Sequence, residues 1–317
     1  GFRNLSTFAI KRKNGINQPL FLGPGPEAQF NPYARIIVEE AHRRGIDVQV
    51  DDADAGLFTL SHGGRRVRCR ESLSDLTSAI SMSLCQDKSL THKVLKAAGL
   101  KLPSQQLAGN ADDNLEFLDE HQRVVVKPLD GEQGQGVAVD LQSIEEVQQA
   151  IETAKQFDSR VLLESFHEGL DLRILVIGFE VVAAAIRRPA EVIGDGQHSI
   201  GALIEAQSRR RQAATGGESK IPLDHETQRT LHAAGYDYSS ILPAGEHLFV
   251  RRTANLHTGG TLEDVTAILH PTLVDAAVRA ARALDIPMVG LDLMVPAADQ
   301  PDYVFIEANE RAGLANH

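Results

Sequence analysis

Residues 289–309 read VGLDLMVPAADQPDYVFIEAN, two apolar segments that each carry an acidic side chain. The pattern predicts two strands, Val289–Val295 and Tyr303–Ala308. Because side chains alternate along a strand, we expect Glu307 and Asn309 to point to one face, and the aromatic Tyr303 and Phe305 to share that face. The opposite face would then carry the apolar side chains Val304, Ile306 and Ala308.

The first of these strands contains a carboxylate, Asp292, between two leucines. Burying a carboxylate costs several kcal/mol unless a cation compensates its charge. Oxygen donors without Cys or His suit Mg²⁺ or Mn²⁺. Asp292, Glu307 and Asn309 are therefore candidate metal ligands. The alternative is two unrelated carboxylates at exposed strand ends.

A glycine-rich loop, DGEQGQG at residues 130–136, follows a predicted strand, Arg123–Lys127. Glycine lets backbone N–H groups approach a phosphate, and the Lys127 ammonium can reach the same anion. The candidate nucleotide contacts here are Lys127, Gly131, Glu132, Gly134 and Gly136. The spacing G-x-x-G-x-G matches neither a P-loop nor a dinucleotide fingerprint, so a flexible hairpin loop is the alternative.

Two further segments could contact a nucleotide. The strand Val161–Glu164 ends in a carboxylate that could read an adenine edge while Phe166 stacks on the base, and Asp171 could bind ribose hydroxyls. Lys88 begins a predicted helix, where a cation opposes the macrodipole, so it could hold an anion. The alternatives are an ordinary strand-end carboxylate and a surface lysine.

The composition excludes several classes of protein. The chain has 317 residues, with 32 Lys+Arg against 43 Asp+Glu and a net charge of −11, which argues against nucleic-acid binding through bulk charge. The longest apolar runs, such as Val181–Ile186, are too short to cross a bilayer. Two cysteines, Cys69 and Cys85, cannot build a disulfide framework, so we predict a cytoplasmic protein.

The order of predicted elements divides the chain into three units. Residues 1–85 form a small α/β unit that contains a helix from about Asn31 to Arg44. Residues 86–168 contain the glycine loop and a helix that begins with a capping box of Ser143 and Glu146. Residues 169–317 contain the candidate metal ligands.

The candidate residues in this order resemble the ATP-grasp superfamily over residues 86–317. The resemblance rests on Lys88, Lys127 with its glycine loop, Glu164, Asp171, Asp292 and Glu307-x-Asn309. Residues 169–173, 187–196, 252–260 and 309–317 are most similar to the cyanophycin synthetase branch, although Ala312 stands where that family usually has proline. Within that branch, residues 69–73 and 207–219 most resemble the N-acetylglutaminylglutamine synthetases, bacterial dipeptide-forming ligases.

The resemblance implies an α+β fold in which two α+β subdomains, the small lid subdomain 86–168 and the C-terminal subdomain 169–317, sandwich ATP behind a pre-ATP-grasp domain at 1–85. It implies that Lys88 and Lys127 neutralise phosphates and that the glycine loop closes over the nucleotide. One or two Mg²⁺ or Mn²⁺ ions would bind the predicted ligands. The implied catalytic residues, which stabilise the transferring phosphoryl group or position substrate, are Arg187, Arg173, Asn255 and Arg311.

The implied activity is ATP-dependent formation of a peptide bond through an acyl phosphate, joining N-acetylglutamine and glutamine. Three alternatives remain: a cyanophycin synthetase-like polymerising ligase, a glutathione synthetase-like ligase, and a nucleotide-binding module without catalysis. The expected partners are amino-acid or dipeptide substrates, with no nucleic acid or membrane. The resemblance also implies an excised ligase portion that an acetyltransferase-like module can precede, and it is compatible with a homo-oligomer.

Overall fold

The computed structural model describes residues 10–13, 16–19, 30–130, 135–215, 217 and 219–314. Its helices are α1 (Pro32–Arg43), α2 (Ala79–Gln86), α3 (Lys88–Ala97), α4 (Ala111–His121), α5 (Ile144–Ala154), α6 (Ile200–Ala214), α7 (His225–Ala233) and α8 (Pro271–Ala283). They begin at side-chain caps. Asn31 caps α1 by accepting a hydrogen bond from the Ala34 N–H at 2.9 Å. Ser143 and Glu146 form the predicted capping box of α5.

The strands of the described residues pair antiparallel into five sheets. They are β1 (Ile10–Lys13), β2 (Ile16–Pro19), β3 (Asp47–Asp52), β4 (Leu57–His62), β5 (Arg65–Arg70), β6 (Leu73–Ser74), β7 (Gln105–Leu107), β8 (Val124–Pro128), β9 (Ala138–Leu141), β10 (Val161–Ser165), β11 (Leu170–Ile177), β12 (Glu180–Arg188), β13 (Glu191–Ile193), β14 (His247–Phe249), β15 (Thr261–Asp264), β16 (Met288–Val295) and β17 (Val304–Asn309). The sheet orders are β1-β2, β3-β4-β5-β6, β7-β10-β8-β9, β13-β14 and β15-β12-β11-β16-β17. Helices packed on antiparallel sheets confirm the predicted α+β class.

The largest core lies on one face of the five-stranded sheet. Alternate residues of β11, Leu172 and Ile174, and of β16, Leu291 and Leu293, are fully buried there together with the alanines of α8. Leu95 of α3 packs in the same core. Because the intervening residues of β11 and β16 point to the opposite face, that face is free to carry polar side chains.

Three smaller hydrophobic clusters surround this core. α4 and α5 cover one face of the sheet β7-β10-β8-β9, with Val126 and Leu163 buried beneath them. α1 covers the sheet β3-β4-β5-β6 around Phe58. Residues 190–250 form a cluster of their own, which includes Ile204 of α6 and Leu231 of α7. In the sequence, residues 190–250 lie between β12 and β15. These two strands nevertheless pair directly with each other in the sheet.

The predicted face of Tyr303 and Phe305 is wrong. The pairing of β16 with β17 shifts between Asp292, which faces Glu307, and Leu293, which faces Phe305. The extra residue, Ile306, is a β-bulge, and it reverses the alternation on its N-terminal side. Phe305 therefore points into the core, and Tyr303 is buried in the same core. Glu307 stays on the opposite face.

The link between β10 and β11, residues 166–169, joins the four-stranded and five-stranded sheets and is braced by charge. Asp140 at the end of β9 accepts hydrogen bonds from Arg123 at 2.6 Å and from Arg252 in the loop after β14. Arg123 also lies over the ring of Phe166, 4.3 Å from its centroid, and pairs with Glu168 at 3.3 Å. We call these five residues the hinge brace.

Candidate functional site

Four charged side chains lie together on the face of the five-stranded sheet opposite the core. Asp171 and Arg173 alternate with core residues on β11, and Arg187 of β12 is the direct cross-strand partner of Asp171. Asp292 of β16 is the cross-strand partner of Arg173. Direct partners in an antiparallel pair share a face, so the sheet register alone brings these groups together.

Asp292 is the centre of this group and is 7% exposed. Its Oδ1 accepts from Arg173 Nη1 at 2.5 Å and lies 3.1 Å from Arg187 Nη2. Burial alone would raise the pKa of Asp292, but the two guanidinium charges outweigh it and lower that pKa. Asp292 is therefore an ionised carboxylate within a largely buried ion cluster.

Asp171 is bound to Arg187, whose Nε and Nη2 donate to Asp171 Oδ1 at 3.0 and 2.7 Å. The pKa of Asp171 is raised to about 6, mainly because the side chain is buried and also because of the charge of nearby Asp292, while Arg187 opposes the shift. The pKa of Arg187 is raised because the charges of Asp292 and Asp171 outweigh its burial. The contact of Asp171 with a ribose stays a prediction.

The three candidate metal ligands are neighbours on this same face. Glu307 is the cross-strand partner of Asp292, and Asn309 Nδ2 lies 3.3 Å from Asp292 Oδ2. Within the described ranges, no group of three or more His, Cys, Asp or Glu side chains converges as a metal site. Two carboxylates and one amide are oxygen donors that fit Mg²⁺, which usually completes its shell with water and phosphate oxygens.

A second charged group lies on the four-stranded sheet. Lys127 of β8 and Glu164 of β10 form an ion pair of 2.6 Å whose side chains are 8% and 6% exposed. Gln105 of β7 donates to the same Glu164 oxygen at 2.8 Å. Val126 and Leu163 point toward α4 and α5. Lys127 and Glu164 are their neighbours along β8 and β10, so these two side chains point to the opposite face of the sheet.

Lys88 connects the two groups. It is the first residue of α3, and its Nζ lies 3.7 Å from Glu307 Oε1 and donates to the Leu129 carbonyl at 3.3 Å. The N-cap Asp87 accepts from two backbone N–H groups and offsets the cation at this terminus. A pocket between α3, β10 and β17 is lined by Lys88, Glu164 and Glu307, so it joins both sheets.

Other predicted residues lie elsewhere or outside the described residues. Phe166 is stacked under Arg123. Asn255 caps a short 3₁₀ helix by accepting from the His257 N–H at 2.9 Å. Arg311 is exposed after β17. Gly136 has a φ of +70° and packs against Phe157. Three loop residues, Gly131, Glu132 and Gly134, lie outside the described part of the chain.

Two residues of the site were not predicted. Gln105 fixes Glu164, and nothing in its local pattern indicates this, because the contact joins residues 59 positions apart. Gly290 gives room to Arg173, since a Cβ there would lie 2.9 Å from Arg173 Cζ. A glycine inside an apolar strand is a signal for close approach by another group, and it could have identified this position.

Comparisons with known proteins identify relatives of this chain. A RimK-like ATP-grasp domain matches residues 85–198. The cyanophycin synthetase of Trichormus variabilis is 34% identical over 301 residues, which cover 92% of this chain and 33% of that protein. The glutathione biosynthesis bifunctional protein of Clostridium perfringens is 28% identical over 297 residues, 89% of this chain and 38% of that one.

A solved structure shares the fold. The bifunctional glutathione synthetase from Pasteurella multocida superimposes with a TM-score of 0.64 at 25% identity, over 90% of this chain and 41% of that chain. The chain thus spans well under half the length of each of these relatives. Among the described residues, no helix has the length and apolar character needed to cross a bilayer.

Proposed function

Because the chain belongs to the ATP-grasp superfamily, we propose that it is an ATP-dependent carboxylate–amine ligase that forms an amide bond through an acyl phosphate. One observation carries the proposal: three oxygen donors, Asp292, Glu307 and Asn309, share one sheet face with two arginines. Lys88 and Glu164 line the pocket that adjoins this face, and Glu164 is the ion-pair partner of Lys127.

The proposed site divides the work between its residues. Lys88 and Lys127 neutralise phosphate charge, and Glu164 offers an acceptor beside the bound base. Asp292, Glu307 and Asn309 would hold Mg²⁺ or Mn²⁺, which when bound supplies positive charge that neutralises the negative charge of the phosphate oxygens.

The proposed reaction has two steps. A substrate carboxylate oxygen attacks the γ-phosphorus of ATP, and ADP leaves. The amine of the second substrate then attacks the carbonyl carbon of the acyl phosphate, phosphate leaves, and the amine loses a proton as the amide forms. Arg173 and Arg187 have planar donors that can hold the transferring phosphoryl and the developing oxyanion. Closure of the pocket would exclude water, which otherwise hydrolyses the acyl phosphate.

For the substrates we propose N-acetylglutamine and glutamine, on the resemblance of residues 69–73 and 207–219. The 34% identity to a cyanophycin synthetase favours a second candidate, a ligase that adds amino acids to an acidic peptide. We propose a cytoplasmic location because both cysteines of the described residues are free thiols.

The test is ADP release with mass spectrometry of the products, from N-acetylglutamine plus glutamine and from arginine plus an acidic peptide. Glu307→Ala should abolish ADP release without unfolding the chain. Glu180→Ala, an exposed carboxylate at the far end of β12, should leave it unchanged. Normal turnover by Glu307→Ala would refute the metal assignment. ATP binding without ADP release from any substrate pair would instead favour a non-catalytic module.

A further inference from the structure

Arg211 is a half-buried cation that has no carboxylate partner in the described part of the chain. Arg173, Arg187 and Arg251 each lie within 4 Å of an Asp or Glu oxygen. Arg211 has no such ion pair among the described residues, and its Nε is buried without a hydrogen-bond partner. Burial lowers the pKa of Arg211. Removing a guanidinium from water without a neighbouring anion costs free energy. A bound anion would therefore stabilise Arg211 in this position.

The guanidinium is held at the β15 edge of the sheet that carries the proposed active site. Arg211 lies in the last turn of α6, and its Nη1 donates to the Gly260 carbonyl at 3.1 Å. Gly260 precedes β15, in which Leu262 is the cross-strand partner of Arg187. A Cβ at Gly260 would lie 2.9 Å from the Arg188 carbonyl, so this turn packs against the end of β12.

The width of the sheet between Arg211 and Asp292 leaves room for the transferring phosphoryl group and both substrates. β15 is separated from β16, which carries Asp292, by β12 and β11. Three strand spacings of about 4.8 Å amount to about 14 Å. The carboxylate that is phosphorylated must lie beside the arginines and metal ligands. An anion at Arg211 would therefore belong to the other substrate, whose amine attacks and whose own carboxylate is not consumed.

We propose that Arg211 binds the carboxylate of the amine-donating amino acid and selects for it. This inference rests on the proposed ligase function. A carboxylate there would supply the missing charge and accept hydrogen bonds from a planar donor that suits it. A purely structural role is the competing explanation, since Arg211 also holds the turn at Gly260, as Ser219 Oγ does by donating to the Leu256 carbonyl at 2.6 Å.

The experiment compares R211M with R210M, which removes the exposed neighbouring arginine. ADP release is measured with the amine substrate that the panel identifies and with its α-carboxamide, for example glutamine and glutaminamide. We expect R211M to lower kcat/KM for glutamine by about 10- to 100-fold, the usual effect of losing a hydrogen bond to a charged group, and to leave glutaminamide unchanged. R210M should match the wild type. Equal losses on both substrates, or no loss on glutamine, would overturn the proposal.

The role of Arg211 can be tested even if the proposed ligase activity is not found. If the wild type releases no ADP with any pair, calorimetric titration with glutamine and glutaminamide in the presence of ADP and Mg²⁺ replaces the kinetic assay. Glutamine that binds the wild type more tightly than R211M, while glutaminamide does not, supports the carboxylate contact. Absent binding of glutamine, or equal binding to both proteins, overturns it.

Discussion

Removing one partner of the Lys127–Glu164 pair should destabilise the protein strongly. Both side chains are more than nine-tenths buried and lie 2.6 Å apart, so Lys127→Met leaves a buried carboxylate and Glu164→Leu leaves a buried ammonium. Breaking such a pair costs about 3–5 kcal/mol. At about 2–4 °C per kcal/mol, each single variant should melt about 6–20 °C below the wild type.

The double variant separates charge from packing. Replacing both partners with apolar side chains is usually neutral or stabilising, so Lys127→Met with Glu164→Leu should recover most of the lost melting temperature. Its ATP affinity, measured by calorimetry, should stay weak because the lysine that we propose to bind phosphate is still absent. The assay is thermal unfolding followed by circular dichroism, at one pH and ionic strength.

The chain offers a matched control in Lys155 and Glu152, a pair of nearly the same length, 2.7 Å, whose side chains are 49% and 69% exposed. Lys155→Met should cost under about 1 kcal/mol, because water screens exposed pairs. The reasoning fails if Lys127→Met is no more harmful than Lys155→Met. It also fails if the losses of the two single variants simply add in the double variant.

Two further predictions concern packing and thiol reactivity. Gly290→Ala places a Cβ 2.9 Å from Arg173 Cζ, so it should lower the free energy of unfolding by about 1–3 kcal/mol. It should also slow ADP release, because the guanidinium moves away from Asp292. A variant with the melting temperature and turnover of the wild type would contradict this. Burial raises the pKa of Cys69 to about 11 and of Cys85 to about 12. At pH 8 both thiols of the native protein should therefore react with a thiol reagent at least about 100-fold more slowly than a free thiol. Rapid labelling of the native protein would refute this prediction.

Much of the site follows from local pattern because it is built on strands. Alternation places Glu307 and Asn309 on one face, and the apolar neighbours of Asp292 indicate a buried carboxylate. The face of Phe305 could not be predicted, because the bulge at Ile306 depends on how β17 pairs with β16.

Contacts between distant segments were equally beyond the sequence. Lys88 and Glu307 meet only once α3 packs in the core beneath β17. The pairing of Asp171 with Arg187 depends on the register of a hairpin whose bulge lies between Leu175 and Val176. Local patterns therefore indicate which side chains are candidates for the site, whereas sheet register decides which of them share a partner.

The hinge brace has a consequence for how the protein responds to its surroundings. Four charged residues and one aromatic ring, that of Phe166, hold the link between the two sheets. The charged residues are Asp140, Arg123, Arg252 and Glu168. Glu168 is 85% exposed and the two arginines are about one-third exposed, so dissolved ions can compete for these charges. Raising the salt concentration should therefore loosen the link between the two sheets while leaving the apolar cores intact.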